Sequence, residues 1–457
     1  MLVVACLGAF MAFVDVTIVN VAFPSIRETF GETSLPMLSW ILNGYNVAFA
    51  ALLVPAGRYA DMLGHRRSFL VGLLGFTVAS IGAGLAPTAA TLIAARIVQA
   101  IAAAILVPTS LALLLEAFPL NRRATAVALW GAAAAVAAAL GPALGGALIS
   151  ASDWRLVFFV NVPLGVIAYW LARSIPGRTT PIAAPPPDPL GIVLLAGSMG
   201  SLALGIVQGE QWGWSEGRTM GAFVAAAVLL LGFVIRGRRS KAPAIDLALF
   251  GDRTFSLANL GTLIFAAGFY GLLLNNVLFV TQVWGYSALE AGLALTPGPI
   301  LAAAVAGPGG RLADRFGQRV VIVPGLILIM AGVTYLVASA EAEASYVTAF
   351  LPQAILSGAG LGLALPALGS AAVGVLSSAR FATGSAINAA ARQLGAVVGI
   401  AVVVAILSGV TAADRLDAFQ HNWLFVIATA AAVLPLATLL RPATPRVSWT
   451  AARAAKP

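Results

Sequence analysis

The sequence predicts an all-α polytopic membrane protein of fourteen spans, and three observations carry that prediction. Apolar residues make up 60% and charged residues 9% of the 457 positions, with a mean hydropathy of +0.97. The apolar residues gather into runs beginning near 2, 37, 68, 90, 124, 155, 189, 219, 254, 291, 321, 345, 382 and 422. Each run offers the about 20 residues a helix needs to cross hydrocarbon, where every backbone group must be satisfied within the helix. Finally, a charged segment occurs twice between such runs, as GRYADMLGHRR from Gly57 to Arg67 and GRLADRFGQRV from Gly310 to Val320. The copies agree at Gly57/Gly310, Arg58/Arg311, Ala60/Ala313, Asp61/Asp314, Gly64/Gly317 and Arg66/Arg319.

A polar loop repeated between apolar segments implies two related halves, the construction of secondary carriers. Within each half the loop joins the second and third runs, yet eight runs start between the copies rather than six. Two runs, about 189–208 and 219–235, are therefore read as an insertion between the halves. They follow a segment with six prolines in fifteen residues, Ile175 to Pro189, in which a helix cannot persist. The expected organisation is an N-terminal six-helix bundle over 1–174, a linker with two inserted helices over 175–253, a C-terminal bundle over 254–441 and a tail over 442–457.

Charge distribution sets the orientation. With both termini in the cytoplasm, twenty loop Lys and Arg residues fall inside and four, Arg27, Arg155, Arg218 and Arg415, fall outside. So strong a positive-inside bias survives only with an even number of spans. The net charge of +9 is thereby spent on short loops rather than on one soluble basic face, which argues against a nucleic-acid partner. The N-terminus lacks a basic leader, so the first run is expected to be kept as a span. Cys6 is the lone cysteine and His65 and His421 are the only histidines; neither a metal cluster nor a nucleotide-binding glycine loop can be assembled from them, and no cofactor is expected. The energy source is then an ion gradient.

The chemistry concentrates in few positions. Asp15 is the one carboxylate deep in a span, roughly 18 Å from the cytoplasmic end of the first run. Burial disfavours a charged carboxylate and a nearby cation favours it, so a group moved between such environments takes up and releases a proton. The competing reading is a packing residue bonded to Thr17 or to a neighbouring helix. Arg96, about six residues or roughly 9 Å below the outer surface, lies at a similar depth and shares a helix face with Gln99. A snorkelling arginine is the alternative there. The loop residues Gly57, Asp61, Gly64, Arg66 and Arg67, with Gly310, Asp314, Gly317 and Arg319, are candidates for cytoplasmic gating latches as well as topology signals. Gly141, Pro142, Gly145 and Gly146 place small residues and a bend in an alanine-rich span, as close helix crossing requires. Asn20, Tyr45, Gln99, Asn275, Asn276, Gln282, Asn388 and Arg392, with Gln393, are candidates for a polar path or for interhelical bonding.

These residues resemble the major facilitator superfamily, specifically its fourteen-span drug:proton antiporters, over nearly the whole chain. Asp15 to Pro24 (DVTIVNVAFP) is similar to that family's first-helix signature. Gly57, Asp61, Gly64, Arg66 and Arg67 match its loop between helices 2 and 3, Arg96 and Gln99 its helix 4 pattern, and Gly141, Pro142, Gly145 and Gly146 the helix 5 motif of exporters. Ala100 departs from a usual glycine and Met62 from a frequent basic residue.

The resemblance implies two six-helix bundles around a central cavity, alternating access, and proton-coupled export of amphipathic or lipophilic compounds such as drugs, antibiotics or toxic metabolites. It implies a carrier rather than an enzyme, in the cytoplasmic membrane, working as a monomer with a small-molecule substrate, protons and lipids as partners. Dedicated export of one metabolite or lipid is a second reading, and a non-transporting sensor or scaffold a third. Family members that export dications often carry further buried acids, so the solitary Asp15 favours monovalent, neutral or zwitterionic substrates.

Overall fold

The computed structural model describes residues 2–117, 123–174, 186–240, 242–376, 381–408, 410–411 and 414–440. The Pro-rich stretch 175–185 and the tail from 441 lie outside the described residues, as do the side chains of Asp61 and Asp314.

Each of the fourteen apolar runs is a helix. The N-terminal set comprises α1 (Leu2–Thr29), α2 (Leu35–Leu63), α3 (His65–Gly84), α4 (Ala89–Ala117), α5 (Arg123–Ala151) and α6 (Leu156–Arg173). The intervening pair is α7 (Pro189–Trp212) and α8 (Gly217–Arg239). The C-terminal set comprises α9 (Arg253–Gln282), α10 (Ala288–Leu295 continuing as Pro297–Phe316), α11 (Arg319–Ser339), α12 (Tyr346–Gly374), α13 (Phe381–Leu407) and α14 (Arg415–Thr438). The irregularity in α10 falls where Pro297 and Pro299 remove two N–H donors from the helical ladder. Alternation of direction brings both copies of the charged segment and the start of α1 to one end of the bundle, called the basic end below.

The repeat is visible in the packing. α1 packs on α5, α2 on α4, α3 on α4 and α6, and α1 also on α4 and α6. Adding eight to each number reproduces the pairs of the second half: α9 with α13, α10 with α12, α11 with α12 and α14, and α9 with α12 and α14. The halves meet through α2 with α13 and α5 with α10, two contacts that the same offset exchanges, and through α1 with α9. α7 pairs with α8 and lies against α2 and α13, covering that seam from outside. The inserted pair is joined at its basic end by Asp188 and Arg236, whose guanidinium donates to both carboxylate oxygens at 2.8 and 3.1 Å.

The two charged segments fold alike. Gly64 follows α2 at φ 90° and Gly317 follows α10 at φ 91°, and their N–H groups bond Ala60 and Ala313 carbonyls at 2.9 Å each. A positive φ at the end of a helix is the conformation glycine accepts without a Cβ penalty, so this repeated glycine is demanded by the backbone. Gly57 and Gly310 lie inside helices instead.

Candidate functional site

The N-terminal half gathers its polar groups around Asp15. α1 brings Asp15 out of an apolar run, α4 and α6 present Arg96, Gln99 and Asn161 toward its carboxylate, and α3 presents Ser80 to Gln99. Arg96 Nη1 donates to Asp15 Oδ2 at 2.5 Å and to Gln99 Oε1 at 2.6 Å. Gln99 Nε2 donates to Asp15 Oδ1 and to Ser80 Oγ, both at 2.8 Å. Asn161 Nδ2 approaches Asp15 Oδ1 at 3.4 Å, and Arg96 Nε donates to the Ile41 carbonyl of α2 at 3.3 Å. Arg96 and Gln99, three residues apart on α4, thus clamp both oxygens of one carboxylate.

This cluster is sealed: Asp15 is 0% and Arg96 1% exposed. The Arg96 guanidinium lies 4.2 Å from the ring centre of Tyr45 and 5.8 Å from that of Phe158, so aromatic faces complete its shell. Two buried charges cancel one another here, and removal of either leaves the other stranded in a low-dielectric interior, at about 3–5 kcal/mol.

The other candidates are used differently. Asn20 Nδ2 bonds back to Val16 O within α1 at 2.6 Å. Asn275 donates to Phe419 O at 3.3 Å. Asn276 receives Trp423 Nε1 at 3.0 Å and donates to Gln353 Oε1 at 3.4 Å. Asn388 donates to Asn259 and Thr262 of α9 at 3.2 and 2.9 Å. These amides tie α9, α12, α13 and α14 together inside the C-terminal half. Gln282 lies apart, with Arg27, Glu28 and Arg415 around a ~300 Å³ hollow at the end opposite the basic loops. Buried Gln393 and half-buried Arg392 stand on α13.

Sequence reading missed Asn161 as a partner of the acid, Ser80 as an acceptor for Gln99 and the Ile41 carbonyl as an acceptor for Arg96. It also missed that the second half carries a neutral counterpart. Asn20-Val21-Ala22-Phe23 of α1 recurs as Asn276-Val277-Leu278-Phe279 of α9, and at the aligned place of Asp15 stands Gly271. Where the first half has Asp15 and Arg96, the second joins Asn276 to Gln353.

Gly141, Pro142, Gly145 and Gly146 form the crossing of α5 with α1 and α10. A methyl group at Gly145 would stand 2.9 Å from Ile18 Cγ1, and one at Gly146 2.9 Å from Leu289 Cα. Backbones approach this closely only where side chains are missing. Ala288 to Gly292 open α10, so the halves are held together at the end away from the basic loops. There Phe23, Leu38 and Ile41 share an apolar core with Val277, Phe279 and Trp423 of the second half. At the basic end Arg58 Nη1 donates to the Pro243 carbonyl before α9 at 3.0 Å, and Arg66 Nη2 to the Arg173 carbonyl ending α6 at 2.6 Å. Arg67 and Arg319 are exposed.

Comparison with known proteins agrees with this architecture. The family model described as Major Facilitator Superfamily matches residues 5–273 and 258–456. The chain is 35% identical over 412 residues to the multidrug resistance protein Stp of Mycobacterium tuberculosis, covering 89% of this chain and 75% of that one. It is 33% identical over 426 residues to the tetracenomycin C resistance and export protein of Streptomyces glaucescens, covering 92% and 77%. Among solved structures, a D-xylose–proton symporter superposes with a TM-score of 0.71 at 14% identity, covering 97% and 98%. A bacterial homologue of the human lysosomal transporter Spinster superposes at 0.68 and 18%, covering 96% of each chain. With its repeated packing and matched sequence, the chain belongs to the major facilitator superfamily, among its drug-efflux transporters.

Proposed function

We propose that this protein exports small amphipathic compounds in exchange for protons by alternating access, with Asp15 as the proton site and Arg96 as its switch. The observation that carries the reading is the sealed cluster of Asp15, Arg96 and Gln99. With Arg96 beside it the carboxylate is compensated; separation of the pair by substrate or by rocking of the halves favours the proton-bound form instead. Gln99, itself held by Ser80, and Asn161 hold the carboxylate toward Arg96, and Tyr45 holds the guanidinium. The basic end faces the cytoplasm, on the positive-inside argument, so the α5–α10 crossing closes the outer side. Export of antibiotic-like compounds follows the names of the resistance relatives.

The test uses everted vesicles with an imposed pH gradient and a panel of fluorescent amphiphiles including ethidium, Hoechst 33342 and 1-pyrenebutyrate. Wild-type protein is expected to move at least one probe uphill when the gradient is applied, and Asp15→Asn to bind it without uphill movement. Gradient-driven accumulation by Asp15→Asn equal to wild type overturns the proton-site assignment.

A further inference from the structure

The membrane interior holds a second deep arginine that the proton cluster leaves out. Arg392 is eleven residues into α13 (Phe381–Leu407), roughly 17 Å from the basic end of that helix. At that depth it cannot snorkel to either interface. Among the described residues it forms no salt bridge and no hydrogen bond. Asp15 is already neutralised by Arg96. Among the described residues, Arg392 is therefore a deep positive charge without a counter-ion.

The direction of that charge follows from its neighbours. α13 is enclosed by α2, α7 and α9, so its flank is not lipid-facing. Asn388 bonds α9, and methyl groups at Gly395 and Gly399 would meet the backbone of α9 at Ala267. Ala389 packs against the first-half core that contains Tyr45 and Phe49. Arg392 is three or four residues from each of Asn388, Ala389 and Gly395, which places it on the same helix face. Its half-buried side chain thus opens on the seam between α9 and the first half. Tyr270 of α9 is within electrostatic range of both Arg392 and Tyr45. Tyr45 and Phe49, stacked with ring centres 5.9 Å apart and planes at 10°, are buried in the first-half core behind that seam.

We propose that Arg392 recognises an anionic group on the transported molecule, and that the substrates are lipophilic monoanions, carboxylates or phenolates. The inference rests on the carrier reading and adds the substrate's charge to it. An intramembrane cation without a protein counter-ion is costly, and a ligand that supplies the missing charge recovers that cost on binding. A cationic compound meets uncompensated repulsion at the same place. Half-buried Tyr270 offers the body of the molecule aromatic contact beside the charge. A monoanion leaving a cell with an inside-negative potential is also driven outward by that potential, in the same direction as proton entry drives it.

Three pyrene probes of similar bulk separate charge from shape: 1-pyrenebutyrate, 1-pyrenebutanol and 1-pyrenebutylamine. Equilibrium binding to the purified full-length protein in nanodiscs at pH 7.5 is read from pyrene fluorescence. The wild type is expected to bind the butyrate at least tenfold more tightly than the alcohol, and the amine most weakly. Arg392→Gln should remove the tenfold preference while keeping affinity for the alcohol, and Arg392→Lys should retain part of it. Butyrate bound no better than the alcohol by the wild type overturns the proposal, as does an undiminished preference in Arg392→Gln. Equal loss of all three probes in both variants also overturns it, because Arg392 is then a packing residue. Asp15→Asn separates this inference from the carrier reading: anion preference should persist there while uphill transport is lost. A wild type with no anion preference but with Asp15-dependent uphill transport sinks the anion site alone.

Discussion

Gly146 of α5 and Gly292 of α10 stand backbone against backbone across the two halves. A methyl group on Gly292 would lie 3.3 Å from Gly146 Cα and closer still to the Pro142 carbonyl. Neither backbone can yield as a side chain would, so Gly292→Ala or Gly146→Ala should open this crossing. Overpacking of about 1–3 kcal/mol corresponds to a shift of roughly five- to 150-fold in a two-state population. Single cysteines placed in the α5–α10 seam, in a Cys6→Ser background, should label faster from outside in either variant. Unchanged labelling would mean that the crossing tolerates a methyl and does not gate.

The glycines of the repeated segment should divide into two classes. Gly64 and Gly317 hold φ values of 90° and 91° with extended ψ values of 132° and 153°, a region nearly confined to glycine, so alanine there should cost about 1–3 kcal/mol. A methyl at Gly57 would come no nearer than 3.9 Å, to Pro108, and at Gly310 it would meet nothing within 4 Å. Both lie inside helices, where Gly→Ala gains up to about 1 kcal/mol. Melting temperatures in detergent should therefore fall for Gly64→Ala and Gly317→Ala and hold or rise for Gly57→Ala and Gly310→Ala. Transport lost in a thermally stable Gly57→Ala would reveal a need for closer approach in another state.

Much of this was legible because a membrane simplifies the code. The long apolar runs could only be helices, and the doubled GR-x-A-D segment disclosed the two halves before their packing was known. Asp15 and Arg96 stood out because ionised groups are rare at such depth. Their small partners did not. Ser80 reaches Gln99 at 2.8 Å but also bonds its own Phe76 carbonyl, and Thr77 bonds only within its helix. Nothing local distinguishes the two, because the choice depends on which face the neighbouring helix covers. Asn275, Asn276 and Asn388 had the composition of a substrate path, yet the structure spends their amides inside the second bundle.

At the basic end, the inserted pair should have an acid-sensitive clamp. Hydrogen bonds from Arg236 hold the buried Asp188 carboxyl below the ordinary carboxylate range. A carboxylate depressed in the folded state stabilises it above the unfolded value of about 3.9, and that stabilisation is lost as pH falls through the lower folded value. Asp188→Asn should melt at a lower temperature than wild type at pH 7, with the gap closing below about pH 4. A gap independent of pH would assign Asp188 a steric role at the start of α7 rather than an ionic one.

The pair at the centre of the first half makes the most demanding prediction, because its members should be worse apart than absent together. Asp15→Asn strands the Arg96 cation and Arg96→Gln strands the Asp15 carboxylate, each costing about 3–5 kcal/mol in an interior this dry. The double variant removes both charges while Gln99 and Ser80 remain to bond the new amides, so its stability should lie nearer wild type than either single variant. Such non-additivity is the mark of direct coupling. Transport should follow the opposite rule: Asp15→Asn and the double variant lack the ionisable group and Arg96→Gln lacks the cation that switches its proton affinity, so all three should fail to concentrate substrate against its gradient. Additive losses of stability would mean that the contact contributes little, and uphill transport by the double variant would move the proton site elsewhere.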